Sequence, residues 1–164
     1  MENNFETLRV EKTSASCRLC EDFSEEAVKT RKTAIASCDG ACVQGEISRK
    51  MVNHLAYNID PEKYARIRLG IAVTKNSGQR NLLRSLENLV VIEGCSLKCG
   101  SRLIQAVTPR EDMKVELISS YCDWDKKLFG INEISQAEVE KIAAKGAENY
   151  FKGNNVSESS SCCG

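Results

Sequence analysis

Nine cysteines occur among the 164 residues of the chain, and four of them form two copies of one short pattern. The pattern is C-x3-C, which reads CDGAC at residues 38–42 and CSLKC at residues 95–99. Thiolate sulfur is a preferred ligand of zinc, and a closed zinc site takes four ligands in a tetrahedron. The two matching pairs therefore predict one metal site with four ligands: Cys38, Cys42, Cys95 and Cys99.

Each copy of the pattern lies between a predicted strand and a predicted helix. The apolar runs at residues 33–37 (TAIAS) and 89–92 (LVVI) predict buried strands, and apolar residues at helical spacing follow each cysteine pair. In parallel α/β sheets, sites form beyond the carboxyl ends of the strands. We expect Ile35 and the run Val90 to Ile92 to lie on adjacent buried parallel strands, which would bring both cysteine pairs to one crevice. The free N–H groups of the two helix starts would favour anionic thiolates there.

The other elements continue this alternation of strand and helix. Residues 65–73 predict a strand weakened by Gly70, residues 114–120 (KVELISS) predict another strand, and Ser135 with Glu138 forms the capping box of a last helix. Such an alternation predicts an α/β fold with a mainly parallel sheet, helices on its faces and the metal site at the carboxyl ends of the strands.

Composition divides the chain into three segments. Residues 1–30 are a polar N-terminal arm in which little regular structure is expected, and residues 31–152 are an α/β cysteine-rich metal-binding domain. Residues 153–164 are a polar tail that buries too little apolar surface to fold, and we expect it to be disordered.

Charge and hydropathy restrict the partners. Lys plus Arg equals Asp plus Glu at 23 each, without the basic surplus of nucleic-acid binders. No apolar run has the length of a membrane span, and no secretory signal is visible, so the expected location is cytoplasmic. In that reducing compartment, a dense set of cysteines is more often metal-binding or catalytic than disulfide-bonded. The metal ion is the predicted partner; a protein partner is left open.

The remaining cysteines give weaker patterns. Cys17 and Cys20 have C-x2-C spacing, which suits an accessory thiol pair, a second metal site or an inert pair. Cys162 and Cys163 suit either a solvated end or a thiol arm that hands over a soft metal ion. Cys122 stands alone, which is typical of a packing residue.

Three other polar residues lie near the first cysteine pair or its helix. His54 has no evident orienting partner, which favours a structural histidine over a ligand or base. Asp39 is expected to cap the turn that follows it, and Glu46 to lie on a solvated helix face, although it could accept a proton at the site.

The segments SCDGACVQGEISRKMVNHL and NLVVIEGCSLKCGSRLI resemble the DGC-domain family of zinc-binding proteins, which is named after an Asp-Gly-Cys motif and has four potentially chelating cysteines. The resemblance covers about residues 33–145. It implies that the same four cysteines of the two C-x3-C pairs are the family's metal ligands. The chain departs from the motif at one position, because it has Glu93 before Gly94 and Cys95 where the family has Asp.

Two functions fit these residues. The first is a binding protein, in which four cysteine thiolates hold a zinc ion for structure, storage or transfer. The alternative is a thiol-redox enzyme or an iron–sulfur protein that uses the same cysteines, since tetrahedral thiolate sites serve both metals. The chain has no Walker loop and no G-x-G-x-x-G, so no nucleotide cofactor is predicted, and no residue is predicted to be catalytic. The pattern favours the binding protein over the enzyme.

Overall fold

The structure, a computed structural model, describes residues 9–11, 14–74 and 77–159 of the chain. Its regular elements, in chain order, are α1 (Arg18–Lys29), β1 (Thr33–Ser37), α2 (Val43–His54) with a π-helical extension (Leu55–Ile59), β2 (Tyr64–Arg66), α3 (Leu69–Ala72), α4 (Gly78–Ser85), β3 (Leu89–Glu93), α5 (Cys99–Val107), β4 (Met113–Leu117) with a 3-10 turn (Ile118–Ser120), and α6 (Gln136–Ser159).

The four strands form one parallel sheet in the order β2-β1-β3-β4. β1 and β3 are adjacent in the middle of it, with Ile35 paired to Val90 and Ser37 to Ile92. The predicted α/β fold with a parallel sheet is therefore confirmed, including the adjacency of these two strands. The connection after β1 leads outward to β2, whereas the connection after β3 leads outward to β4. The crossovers thus diverge between β1 and β3, which is a topological switch point.

Alternate residues of the strands supply two hydrophobic layers. Ile35, Val90 and Ile92 pack with residues of α2 and α6 on one face of the sheet. On the other face, small or branched residues of β1 and β3 pack against Ala27 of α1, Leu82 of α4 and other buried residues of the same cluster. Because strand side chains alternate between the faces, an almost continuous apolar run such as LVVI is what a strand covered by helices on both faces requires.

The N-terminal segment is more ordered than the sequence predicts. Within residues 1–30, α1 occupies Arg18–Lys29 and packs against α4. Its inner face is made of the small residues Cys20, Ser24 and Ala27, of which Ser24 and Ala27 are buried. A search for large apolar residues at helical spacing misses such a face, because close helix packing here depends on small side chains.

Two further elements differ from the prediction. The strand expected over residues 65–73 is limited to Tyr64–Arg66, and Leu69–Ala72 forms the short helix α3 instead. Leu69 and Ala72 are both buried. Residues three apart lie on the same side of a helix but on opposite faces of a strand, so this burial suits a helix. At the other end of the chain, α6 continues to Ser159, so residues 153–159 of the expected tail have helical backbone. Residues 160–164, including Cys162 and Cys163, lie outside the described residues.

The predicted cap of α6 is present, since the Ser135 hydroxyl accepts a 3.2 Å hydrogen bond from the backbone N–H of Glu138. No helix in the described ranges has the length and apolarity that a membrane crossing needs.

Candidate metal site

Residues 38–42, here called the CDGAC loop, connect β1 to α2. Cys38 directly follows β1, is buried, and its backbone N–H donates a 3.3 Å hydrogen bond to the Ile92 carbonyl of β3. Cys42 is half-buried and is the N-cap residue of α2. It forms an isolated antiparallel bridge with Gly130, from the long connection between β4 and α6. The first cysteine therefore ends a strand and the second begins a helix, as predicted.

Residues 95–99, the CSLKC loop, connect β3 to α5. Cys95 lies two residues beyond β3 and is half-buried, whereas Cys99 is the first residue of α5 and is exposed. Lys98 before it has a φ of 54°, in the left-handed region that residues other than glycine seldom adopt. Since β1 and β3 are parallel neighbours, the CDGAC and CSLKC loops lie at the same edge of the sheet.

Three glycines bring the two loops against the first turn of α2. A Cβ atom on Gly45 would lie 2.5 Å from the Gly40 Cα atom, and one on Gly40 would lie 2.7 Å from the Gly45 Cα atom. A Cβ atom on Gly94 would lie 2.8 Å from the backbone nitrogen of Gly45. These separations are too short for any side chain. The absence of Cβ atoms therefore lets the CDGAC loop and the residue just before the CSLKC loop contact one helix start.

The thiol of Cys38 lies among other acidic groups. Burial raises the pKa of Cys38, the backbone N–H of Gly40 opposes that shift, and negative charge on Glu93, Cys99 or Cys42 raises the pKa further. At this cysteine, burial thus outweighs the stabilisation of a thiolate that the sequence predicts for the loop. Negative charges gathered at this edge of the sheet favour the binding of a cation, which would reverse this balance and stabilise the deprotonated thiols.

The side chains do not form a closed site as they stand. In the parts of the chain that the structure describes, no group of three or more His, Cys, Asp or Glu side chains has an arrangement that would hold a metal ion. Cys42 and Cys99 lie close enough to Cys38 to influence its pKa. The donor set therefore suits a thiolate-preferring metal in its chemistry, and the four-cysteine site stays a prediction.

Glu93 has a structural role that the sequence did not reveal. Its carboxylate is almost fully buried and accepts hydrogen bonds from the backbone N–H groups of Ser101 at 2.6 Å and Gly100 at 3.3 Å. The side chain at the end of β3 therefore caps the N-terminus of α5, where a negative group is favoured. The sequence feature that could have indicated this role is a charged residue at the end of an apolar strand, followed by a helix start without an acidic residue.

Arg66 is a second residue that sequence reasoning missed. It ends β2, is buried, and donates to the Ser37 hydroxyl at 2.6 Å, to the Asn53 side chain at 3.0 Å and to the Ile67 carbonyl. Burial lowers the pKa of Arg66 to about 10, although the carboxylate of Asp39 acts in the opposite direction. A positive charge is therefore fixed beside the residue that precedes Cys38. Such a charge would offset part of the negative charge of a thiolate cluster.

Three other residues considered from the sequence, His54, Glu46 and Cys122, have contacts of their own. His54 contacts Glu140 at 2.7 Å and Asn58 at 3.1 Å, at the opposite end of α2 from Cys42, which suits the structural role predicted for it. Glu46 accepts two hydrogen bonds from Arg49, at 2.6 and 2.7 Å. Cys122 is buried against Met51, 3.8 Å between the two sulfur atoms, as expected of a packing residue.

Comparison with known proteins gives one match. The sequence model of the DGC domain matches residues 34–145, a segment that includes both the CDGAC and the CSLKC loops. No curated protein and no solved structure matches the chain.

Proposed function

We propose that this chain, which belongs to the DGC-domain family, binds one zinc ion through four cysteine thiolates and holds it for structure, storage or transfer. The proposed ligands are Cys38, Cys42, Cys95 and Cys99. The observation that supports the proposal most strongly is the position of the CDGAC and CSLKC loops. They follow two adjacent parallel strands at the switch point of the sheet, where sites in such folds form.

The electrostatics around Cys38 support the same proposal. Cys38 lies near Cys42, Cys99 and Glu93, and any of these groups in its anionic form disfavours a second negative charge at Cys38. A divalent cation removes that conflict, because thiolates bind it as anions and release their protons. The side chain of Glu93 is occupied with the N–H groups of α5, so we assign it no ligand role.

The test is elemental analysis of protein purified without oxygen. We expect a colourless protein with one zinc per chain, and a sharp loss of zinc in each of the four single Cys→Ser variants. Cys122→Ser is the matched control, since Cys122 is buried away from both loops, and it should keep its zinc. Full metal retention in Cys95→Ser would exclude the four-cysteine site. A brown protein with bound iron would instead support the iron–sulfur alternative.

A further inference from the structure

The C-x2-C pair is located at the start of a helix. Cys17 is the N-cap residue of α1 and has extended backbone, while Cys20 lies in the first turn. The backbone N–H groups of Cys20 and Glu21 both donate to the Cys17 carbonyl, at 2.9 and 3.1 Å. The two cysteines therefore lie at the two ends of a single hydrogen-bonded turn, a relation that the sequence alone did not establish.

This end of α1 is fixed by contacts with α4. The carbonyl of Cys20 accepts a 2.8 Å hydrogen bond from the Ser24 hydroxyl, and a Cβ atom on Gly78 would lie 2.5 Å from the same carbonyl oxygen. The backbone N–H of Gly78 also donates to the Glu21 carboxylate at 2.8 Å. The position of Cys20 is thus set by packing, and the pair is not part of a loose arm.

The two side chains differ in exposure. Cys17 is exposed, and among the described residues its side chain makes no capping hydrogen bond. Cys20 is half-buried on the side of α1 that faces α4. Cys17 is therefore the more open of the two to reagents from solvent.

From this geometry we infer that Cys17 and Cys20 form a reversible intramolecular disulfide, with Cys17 as the attacking thiol and Cys20 as the resolving thiol. Residues three apart on a helical turn have Cβ atoms roughly 5–6 Å apart. A disulfide needs Cβ atoms at about 3.5–4.5 Å, so the two Cβ atoms must come closer together. A small adjustment of the N-cap residue can achieve this, because that residue lies outside the helix proper.

The substrate class is a small-molecule disulfide. The Cys17 thiolate attacks one sulfur of that disulfide, which forms a mixed disulfide and releases the first small thiol. The Cys20 thiolate then attacks the Cys17 sulfur, closes the protein disulfide and releases the second small thiol. The two protons of the protein thiols end on the two released thiols, so the protein is oxidised by two electrons and the small disulfide is reduced by two.

The test uses the full chain with Cys162→Ser and Cys163→Ser, equilibrated without oxygen in mixtures of reduced and oxidised glutathione. After acid quenching, free thiols are alkylated and the protein is cut with trypsin. Because trypsin cleaves after Arg18, a Cys17–Cys20 disulfide appears as two different peptides joined to each other. We expect this joined pair to appear as the proportion of oxidised glutathione rises and to disappear on reduction.

Single variants identify the roles of the two thiols. Cys20→Ser should accumulate glutathione on Cys17, and Cys17→Ser should accumulate at least several-fold less on Cys20. Serine is a preferred N-cap residue, so Cys17→Ser keeps the helix start intact. Cys122→Ser is the control and should leave the joined peptides unchanged. The inference is overturned if the joined peptides are absent at every ratio, or if both single variants accumulate glutathione equally. Neither result depends on zinc content.

Discussion

The carboxylate of Glu93 accepts a 2.6 Å hydrogen bond from the backbone N–H of Ser101, and this contact joins the end of β3 to the first turn of α5. The same carboxylate accepts a 3.3 Å hydrogen bond from the backbone N–H of Gly100, so it caps the helix that begins at Cys99. The residue before the Gly-Cys pair is a structural part of the loop.

Replacement of Glu93 by alanine should destabilise the protein by about 1–3 kcal/mol, because the buried N–H groups of Gly100 and Ser101 lose their acceptor. Urea denaturation of the two proteins measures the difference. Glu111→Ala is a matched control, since Glu111 is exposed, and should change the free energy of unfolding by no more than about 0.5 kcal/mol. Equal stabilities of the two variants would mean that the carboxylate does not cap α5.

The sequence predicts the middle of the molecule better than its flanks. Residues 33–37 and 89–92 are apolar on both faces, which is typical of central strands in an α/β sheet, and the structure shows them as parallel neighbours. The same reasoning places a cysteine pair after each strand. It says little about side-chain direction, because the positions of sulfur atoms depend on loop conformations such as that of Lys98.

Gly45→Ala should destabilise the protein, although alanine is the better helix former. The new Cβ atom would lie 2.5 Å from the Gly40 Cα atom, where only backbone can move, and such overpacking costs about 1–3 kcal/mol. Gly153→Ala is the matched control: it lies in α6, the new Cβ would meet no atom within 4 Å beyond its neighbours in the helix, and it should stabilise by up to about 1 kcal/mol. Thermal and urea unfolding give both values. A stabilising effect of Gly45→Ala would show that the CDGAC loop can move away from α2.

Contacts between residues that are distant along the chain could not be predicted from the sequence. Arg66 is 29 residues from the Ser37 hydroxyl to which it donates, and nothing in its neighbourhood distinguishes it from a surface arginine. The helix of Cys17 and Cys20 was missed for a related reason, since its buried face consists of small residues whose packing depends on Gly78. In each case the informative partner is supplied by the fold and not by a local pattern.

Cys122 should make the stability of the protein depend on alkaline pH. Burial raises the pKa of Cys122 from 9.0 to about 11, partly opposed by the positive charge of Lys126. The neutral thiol is therefore favoured by folding. Its contribution is fully present below the pKa of the unfolded chain, near pH 9, and is lost as the pH rises through the folded-state pKa near 11. Over that interval, the unfolded chain ionises first, which lowers its free energy relative to the folded protein.

The measurement is the free energy of unfolding from urea denaturation between pH 8 and pH 11, under reducing conditions, for the parent protein and for Cys122→Ala. The parent should lose about 2 kcal/mol more than the variant across this range, since one pKa unit corresponds to about 1.4 kcal/mol. Burial also raises the pKa values of Tyr121 and Tyr150, but both tyrosines are present in the two proteins and cancel in the difference. The alanine leaves a gap beside Met51 and Gly146, which lowers stability by an amount that does not vary with pH. Ionisation of the thiol is therefore measured only by a difference between the two curves that changes with pH. Curves that stay parallel would mean that Cys122 ionises as readily in the folded protein as in the unfolded chain.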